Sequence, residues 1–298
     1  MPNPKSVLVE FSNALSAAAA SARDYVAEIQ IAGGHRRSGV LWKPNIVAVS
    51  EQVLPEASEY EVTVAGRTGK ARLAGRDPGT NVAVLRLEED LPGRLPQFAV
   101  PSVGALSVVL GGGANGITTQ LTTVRSVGGA WQSQSGGTID HRIVLNGRLG
   151  AAEEGGPVLA ADGAILGIST RGAAQQSLVI PASTVERIAH ILLEKGSVER
   201  GWLGVSLRPV ALPEALRPEG SQRVGLMVMD VGADSPAAKA GVVAGDILLS
   251  VGGSPATTFG KIVRQFGGNS IGKKVEITLA RAGVHLTSEA TIAPRKTV

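Results

Sequence analysis

The chain of 298 residues is long enough for two or three domains, and its 43% hydrophobic content allows substantial buried cores. Aromatic residues make up 3% of the sequence and the net charge is +4, so an aromatic platform or a concentrated basic stripe for nucleic acid is excluded. The absence of cysteine excludes disulfides and thiolate chemistry.

The N-terminal segment, residues 1–24, is rich in alanine and predicts a helix with Ser12 as its N-cap. Its stretch ALSAAAASA is small rather than strongly apolar, and polar residues interrupt it, so it does not match a secretory signal. No run is long and apolar enough to span a membrane. We therefore expect a cytoplasmic protein, or an extracytoplasmic one whose signal has been removed.

Two sets of short alternating runs follow, punctuated by Gly, Pro and Asn, which is typical of antiparallel strands. The first set is expected at residues 25–31, 38–42, 46–49, 60–64, 70–75 and 82–87. The second set is expected at residues 107–110, 118–127, 141–145, 156–159, 165–169 and 177–180. Two sets of six strands predict two small barrels, at about 25–92 and 97–182, which together form one domain over 25–182.

The hydrophobic period then changes from that of strands to that of a helix. Residues 181–196 predict a helix that Ser183 or Thr184 caps and Gly196 ends. We interpret 183–200 as a helical linker and 201–295 as a separate module. Within this module we expect a helix near 257–267 and a final hairpin around Ala282 and Gly283.

An ordered series of stretches then carries a resemblance. The series consists of RSGVLWKPNIVAVSEQV, EYEVTVAGRTGKARLAGRDPGTNVAVLRLE, GGANGITTQLTTVRSVG, EEGGPVLAADGAILGIST and VERGWLGVSLRPV. From about Phe11 to the C-terminus, the chain resembles HtrA-type serine proteases. The resemblance implies a mostly β fold, with a chymotrypsin-like double β-barrel followed by a small α+β PDZ domain.

The resemblance also places the three catalytic positions. The histidine position after IVAVS holds Glu51, the aspartate position holds Asn81, and the serine position before two glycines holds Glu154. A triad needs a hydroxyl nucleophile, an imidazole that takes its proton and a carboxylate that orients the imidazole. Because none of these groups occupies its position, we predict a pseudoprotease that is not an enzyme.

Other interpretations of the two glutamates stay open. If the fold is kept, Glu51 and Glu154 face each other across the cleft, and two close carboxylates can serve as acid and base in a rearranged hydrolase or protease site. They can also be structural, paired with an arginine such as Arg76 or Arg148. Two carboxylates and an amide make a poor site for a hard cation, so we expect neither a metal nor a cofactor.

The C-terminal module is expected to bind peptide. Successive N–H groups in the loop GWLGV, residues 201–205, can form a nest for a terminal carboxylate, and the strand after it offers an edge for an extended peptide. The helix near 259–266 is expected to form the other wall of the groove, and Asp246 to fix a turn. The predicted peptide-binding residues are Trp202, Leu203, Gly204, Val205, Ser206, Leu207, Arg208, Ile262, Val263 and Phe266.

These features predict an inactive scaffold, chaperone-like protein or assembly subunit that captures a protein C-terminus or an extended strand. The resemblance implies trimers that form through the N-terminal segment. Here that segment has only Phe11 and Tyr25 as aromatics. The assembly state therefore stays open: the chain can form a homo-oligomer such as a trimer, or it can be a subunit of a larger complex. A third interpretation is a structural subunit whose groove is filled by its own chain.

Overall fold

The computed structural model describes residues 4–91, 97–113, 116–133, 135–217, 222–263, 266 and 270–294. The chain forms two compact units. One contains the residues up to Trp131 together with Thr138–Val198, and the other contains Gln132–Gly137 together with the residues from Glu199 on.

Helices are few and mostly short. The α-helices are α1 (Pro4–Ala22), α2 (Ala182–Lys195), α3 (Pro236–Lys239) and α4 (Phe259–Val263). Single 3₁₀ turns occur at Ala32–Gly34, Glu51–Val53, Ala173–Gln175 and Glu214–Leu216.

Six antiparallel strands form the first barrel. They are β1 (Val26–Gln30), β2 (Arg36–Lys43), β3 (Ile46–Ser50), β4 (Tyr60–Val64), β5 (Arg67–Asp77) and β6 (Val82–Leu87). Their order is β1-β2-β3-β6-β5-β4, and pairing of β1 with β4, with Ala27 opposite Val64, closes the barrel. Closure leaves no free strand edge in this barrel.

A second barrel follows in the chain. Residues 106–181 contain β7 (Leu106–Gly113), β8 (Gly116–Gly128), β9 (Trp131–Gln132), β10 (Thr138–Ile139), β11 (Arg142–Leu145), β12 (Pro157–Ala160), β13 (Ile165–Arg171) and β14 (Ser177–Pro181). The barrel order is β11-β14-β13-β12-β7-β8, while β9 and β10 pair as a separate two-stranded sheet.

The two barrels share a hydrophobic core with α2. Leu85 of the first barrel, Leu110 of the second and Ile188 of α2 belong to one buried cluster. The i, i+3, i+4 spacing of apolar residues in α2 buries Val185, Ile188 and Leu192 against the barrels. The residues interpreted as a linker helix thus pack as part of this unit.

The second unit is built on one antiparallel sheet. Its strands are β15 (Gly201–Trp202), β16 (Val205–Ala211), β17 (Val224–Val231), β18 (Ile247–Val251), β19 (Ser254–Pro255), β20 (Lys274–Arg281), β21 (Val284–Thr291) and β22 (Ala293–Pro294). The sheet order is β16-β17-β18-β20-β21, with β19 paired to β18 and β15 paired to β22. Strand β16 therefore lies at an edge of the sheet.

Two predicted helix caps are wrong. Helix α1 begins at Pro4, so Ser12 lies inside it; residues 5–11 contain no glycine or proline, and the helix extends through them. Helix α2 begins at Ala182 and follows Pro181 without a side-chain cap, so Ser183 and Thr184 lie inside its first turn; the Thr184 hydroxyl accepts a hydrogen bond from the Asp140 N–H. Gly196 ends α2 as predicted, in a left-handed conformation.

The predicted fold class is confirmed: the chain is mostly β, with two six-stranded barrels followed by a small α+β unit. The final hairpin turns at Ala282 and Gly283, between β20 and β21. Among the described residues, no helix has both the length and the apolar character needed to cross a bilayer.

Candidate functional site

The loop 152–156, which carries the two consecutive glutamates, is held from both barrels. The buried Ser38 hydroxyl of β2 donates to the Ala152 carbonyl, and the buried Ser169 hydroxyl of β13 donates to the Glu153 carbonyl. Gly155 has a φ of 92°, and a Cβ there would overlap the Ser38 carbonyl, so only glycine fits. The backbone frame of this loop is therefore fixed by buried hydrogen bonds.

Glu154 is nearly buried and lies in a polar network between the barrels. Its Oε1 accepts a hydrogen bond of 2.7 Å from Gln52 Nε2, and its Oε2 lies 3.3 Å from Arg171 Nε. The two N–H bonds of the Gln52 amide are shared among Glu154, the Thr170 hydroxyl and the Arg171 carbonyl. The arginine that pairs with Glu154 is therefore Arg171 of β13, and not Arg148, which was one of the two examples considered from the sequence.

Glu51 pairs with a different arginine. Its Oε1 accepts from Arg76 Nη1 of β5 at 3.2 Å, as one of the open interpretations expected. A cavity of about 520 Å³ adjoins Arg76 and is lined by Glu56, Ala57, Ser58 and Leu73. Each carboxylate at the former triad positions thus has its own guanidinium partner.

Asn81 uses both ends of its amide. Its Oδ1 accepts from the Ser50 hydroxyl at 3.1 Å and from the Gln52 backbone N–H at 2.8 Å. Its Nδ2 donates to the Thr170 hydroxyl at 2.8 Å. Asn81 therefore fastens the turn after β3 to β13 of the second barrel.

The three triad positions hold no hydroxyl nucleophile and no imidazole. Within the described ranges, no histidine is hydrogen-bonded to a serine or threonine hydroxyl; His190 pairs with Glu194, and His285 contacts the Leu216 carbonyl. A Ser-His relay at Glu51, Asn81 and Glu154 is therefore chemically excluded. Any hydrolysis in this domain requires another arrangement of groups.

The loop before β16, which the sequence predicts to bind a carboxylate, is held in place by several contacts. Gly204 has a φ of 84°, and its carbonyl accepts from the Gly232 N–H at 2.9 Å. The Leu203 carbonyl accepts from the Ala237 N–H at the start of α3. The Trp202 ring lies against Gly204 and Gly232. These contacts fix the loop at the end of the open edge of β16.

The other predicted peptide-binding residues divide into two groups. Leu203, Ile262 and Phe266 are buried in one hydrophobic cluster, against which Val205 and Leu207 pack. Ser206 and Arg208 are exposed on β16. Helix α4 lies beside β16. The side chain of Val263 and residues 264 and 265 of the expected helix lie outside the described part of the chain.

The turn before β18 is fixed by a buried carboxylate. Asp246 accepts two hydrogen bonds from Arg281, at 2.7 and 2.8 Å, and one from the Val243 N–H. The hydrogen bonds from Arg281 lower the pKa of Asp246 below its ordinary value, although burial opposes this shift. The carboxylate therefore locks the turn in its charged form.

Each of the two units matches a known domain family, and the chain is similar in sequence to known proteins. A profile described as "Trypsin-like peptidase domain" matches residues 37–168, and one described as "PDZ domain" matches residues 201–292. A "Probable periplasmic serine endoprotease DegP-like" of Brucella suis is 29% identical over 87% of this chain and 54% of its own length. "Periplasmic pH-dependent serine endoprotease DegQ" of Escherichia coli is 27% identical over 83% of this chain and 56% of its own length. The chain thus spans about half the length of these curated relatives.

Solved structures show the same fold. "HtrA-type protease AlgW with decapeptide" superposes with a TM-score of 0.71 at 22% identity, covering 97% of this chain and 99% of its own. A serine endoprotease from Yersinia pestis superposes with a TM-score of 0.70 at 22% identity, covering 99% of this chain and 100% of its own.

Two expectations from the sequence are contradicted by these comparisons. The prediction that the chain is not an enzyme is wrong, because its relatives are named as serine endoproteases. The prediction of a cytoplasmic location is also contradicted, since the relatives are named as periplasmic. Both errors arose from the sequence alone, the first from the three substituted triad positions and the second from the weakly apolar N-terminal segment. The chain thus contains a trypsin-like peptidase domain followed by a PDZ domain, and it is similar to HtrA-type proteases over nearly its whole length.

Proposed function

We propose that the PDZ domain captures the carboxyl-terminal segment of another polypeptide. The observation that supports this function most is the open edge of β16, which begins directly after the Gly204 loop. An extended peptide gains main-chain hydrogen bonds when it adds to a free sheet edge, and a nest of N–H groups receives its carboxylate. The relative AlgW, whose structures carry a decapeptide or a tripeptide by their titles, supports a peptide as the occupant.

The groove offers an apolar site for the terminal side chain. Leu203, Ile262 and Phe266 form a continuous buried cluster next to the loop. Because these three side chains are apolar, we expect the terminal residue of the peptide to be aliphatic or aromatic. Burial of such a side chain contributes about 1.5–3 kcal/mol.

Titration calorimetry on the whole chain tests this proposal. The probe is a carboxyl-terminal heptapeptide selected from a random library displayed with free carboxyl ends. We expect binding of one peptide per chain, loss of binding when the carboxyl end is amidated, and loss of binding in Gly204→Trp. Equal affinity for the free and amidated peptides would refute carboxylate capture.

We also propose, as a second function, peptide-bond hydrolysis by the double-barrel unit at a rearranged site around Glu51 and Glu154. The names of the relatives favour this function. In this chemistry one carboxylate takes a proton from water while the other protonates the leaving amine. Because Glu154 is held by Gln52 and Arg171, the reaction requires its release from at least one of them.

Cleavage of unfolded casein by the purified chain tests the second function. We expect cleavage that Glu154→Ala abolishes and that Glu194→Ala, a change at an exposed glutamate of α2, leaves intact. A fluorophosphonate probe for reactive serines should not label the chain, since no serine occupies the nucleophile position. Absence of cleavage, or cleavage that Glu154→Ala does not change, would contradict hydrolysis at this site.

A further inference from the structure

The main-chain groups of β16 point alternately toward β17 and toward the open edge. At the start of the strand, the Gly232 N–H donates to the Gly204 carbonyl, so these two residues form a hydrogen-bonded pair. In an antiparallel ladder, hydrogen-bonded and non-hydrogen-bonded pairs alternate. The next pair, Val205 opposite Val231, is therefore not hydrogen-bonded, and the main chain of Val205 faces the open edge.

A β-bulge after Ser206 shifts the register, but the alternation can be followed beyond it. Val228 donates its N–H to the Asp246 carbonyl and accepts from the Gly245 N–H, so both of its main-chain groups are used on the side away from β16. Its partner Leu207 consequently faces the open edge as well. Arg208 then pairs by hydrogen bonds with β17, and Pro209, opposite Leu226, faces outward again.

Pro209 has no N–H group. At the open edge, Val205 and Leu207 each offer one donor and one acceptor, whereas Pro209 offers only its carbonyl. The donor pattern that an added strand would follow therefore ends after Leu207, although β16 itself continues to Ala211. Pro209 is exposed, so no contact with the core explains its presence at this position.

We propose that Pro209 limits the length of peptide that the groove reads to about four residues. This inference rests on the proposed capture of carboxyl-terminal peptides by β16. Because alternate residues of an added strand pair with the edge, the terminal residue lies opposite Val205, the third from the end opposite Leu207, and the fifth opposite Pro209. The fifth residue can form only one main-chain hydrogen bond with Pro209, whereas it could form two with a residue that has an N–H group. A single main-chain hydrogen bond corresponds to about a two- to tenfold change in affinity.

A proline at a sheet edge can also prevent association between edges of different molecules. The two roles differ in what the substitution Pro209→Ala changes. If Pro209 limits the peptide, the alanine variant gains affinity for longer peptides. If it only prevents association, the variant forms dimers or larger species and its dependence on peptide length stays that of the wild type.

A peptide-length series on the whole chain tests the inference. Affinities are measured for the library-selected heptapeptide and for its forms shortened from the amino end to six, five, four and three residues. The proteins are the wild type, Pro209→Ala and the control Pro255→Ala, which changes another exposed strand proline of the same unit. Size-exclusion chromatography with light scattering follows the oligomeric state of each variant.

In the wild type and in Pro255→Ala we expect affinity to rise up to four residues and to change less than about twofold from four to seven. In Pro209→Ala we expect the six-residue peptide to bind about two to ten times more tightly than the four-residue peptide. A steady gain with length in the wild type, or no added gain in Pro209→Ala, would overturn the role of Pro209 and leave peptide capture intact. Failure of every peptide to bind the wild type would overturn peptide capture itself, and the inference with it.

Discussion

The substitution Gly204→Ala, at the loop that we propose binds the peptide carboxylate, introduces both backbone strain and a steric overlap. Gly204 has a φ of 84°, and an added methyl group would overlap the Cβ of Ser235, a buried residue that caps α3. Gly245 has a φ of 93°, but an added methyl group there has nothing within 4 Å. The matched control Gly245→Ala therefore carries the backbone strain without the steric overlap.

The difference between the two variants measures the overlap alone. A left-handed non-glycine residue costs about 1–3 kcal/mol in either variant, and an overpacked site costs about 1–3 kcal/mol more in Gly204→Ala. For a domain of this size, about 4–8 °C of melting temperature corresponds to 1 kcal/mol. We therefore expect the PDZ transition of Gly204→Ala to lie at least about 4 °C below that of Gly245→Ala.

Calorimetric unfolding and peptide titration are measured on both variants. Gly204→Ala should also lose at least tenfold in affinity for the heptapeptide, since relief of the overlap displaces the loop, while Gly245→Ala should stay within about twofold of the wild type. Equal melting temperatures together with equal affinities would refute the assignment of this loop as a tightly constrained carboxylate site.

Three further substitutions test the contacts described above by thermal unfolding of the whole chain. Glu154→Ala should cost about 1–2 kcal/mol, because it removes one hydrogen bond from Gln52 and an ion pair with a partly exposed Arg171; an unchanged melting temperature would contradict the network. Ser38→Ala should cost about 1–3 kcal/mol, because the Ala152 carbonyl loses a buried donor. Asp246→Asn should cost about 1.5–3 kcal/mol at pH 7. Since the pKa of Asp246 is lowered by folding, this difference should shrink as the pH falls below about 4, and a constant difference from pH 7 to pH 3 would contradict the assignment.

Local sequence signals predicted the elements well. The strand Tyr60–Val64 has the predicted bounds, because its alternation of buried and exposed residues and its flanking turns are local features. Gly196 was recognisable as a helix end for the same reason. The start of α1 was missed because residue type alone does not distinguish a serine inside a helix from a serine at its N-cap.

Contacts that depend on barrel closure or on the approach of the two barrels could not be predicted in the same way. Arg171 reaches Glu154 only because closure of the second barrel places β13 beside the loop, and no spacing in the sequence encodes that distance. Gln52 gave no signal at all, although its amide joins three acceptors. Pro209 was visible in the sequence, but whether its missing N–H faces β17 or the open edge depends on the register and on the bulge after Ser206.

Amide hydrogen exchange of the whole chain, with and without the heptapeptide, tests the central claim of peptide capture at β16 most directly. The account predicts that peptide slows exchange of the Val205 and Leu207 N–H groups, which face the open edge, and leaves the Arg208 N–H, which faces β17, nearly unchanged. Slowed exchange elsewhere, with Val205 and Leu207 unaffected by a bound peptide, would contradict it.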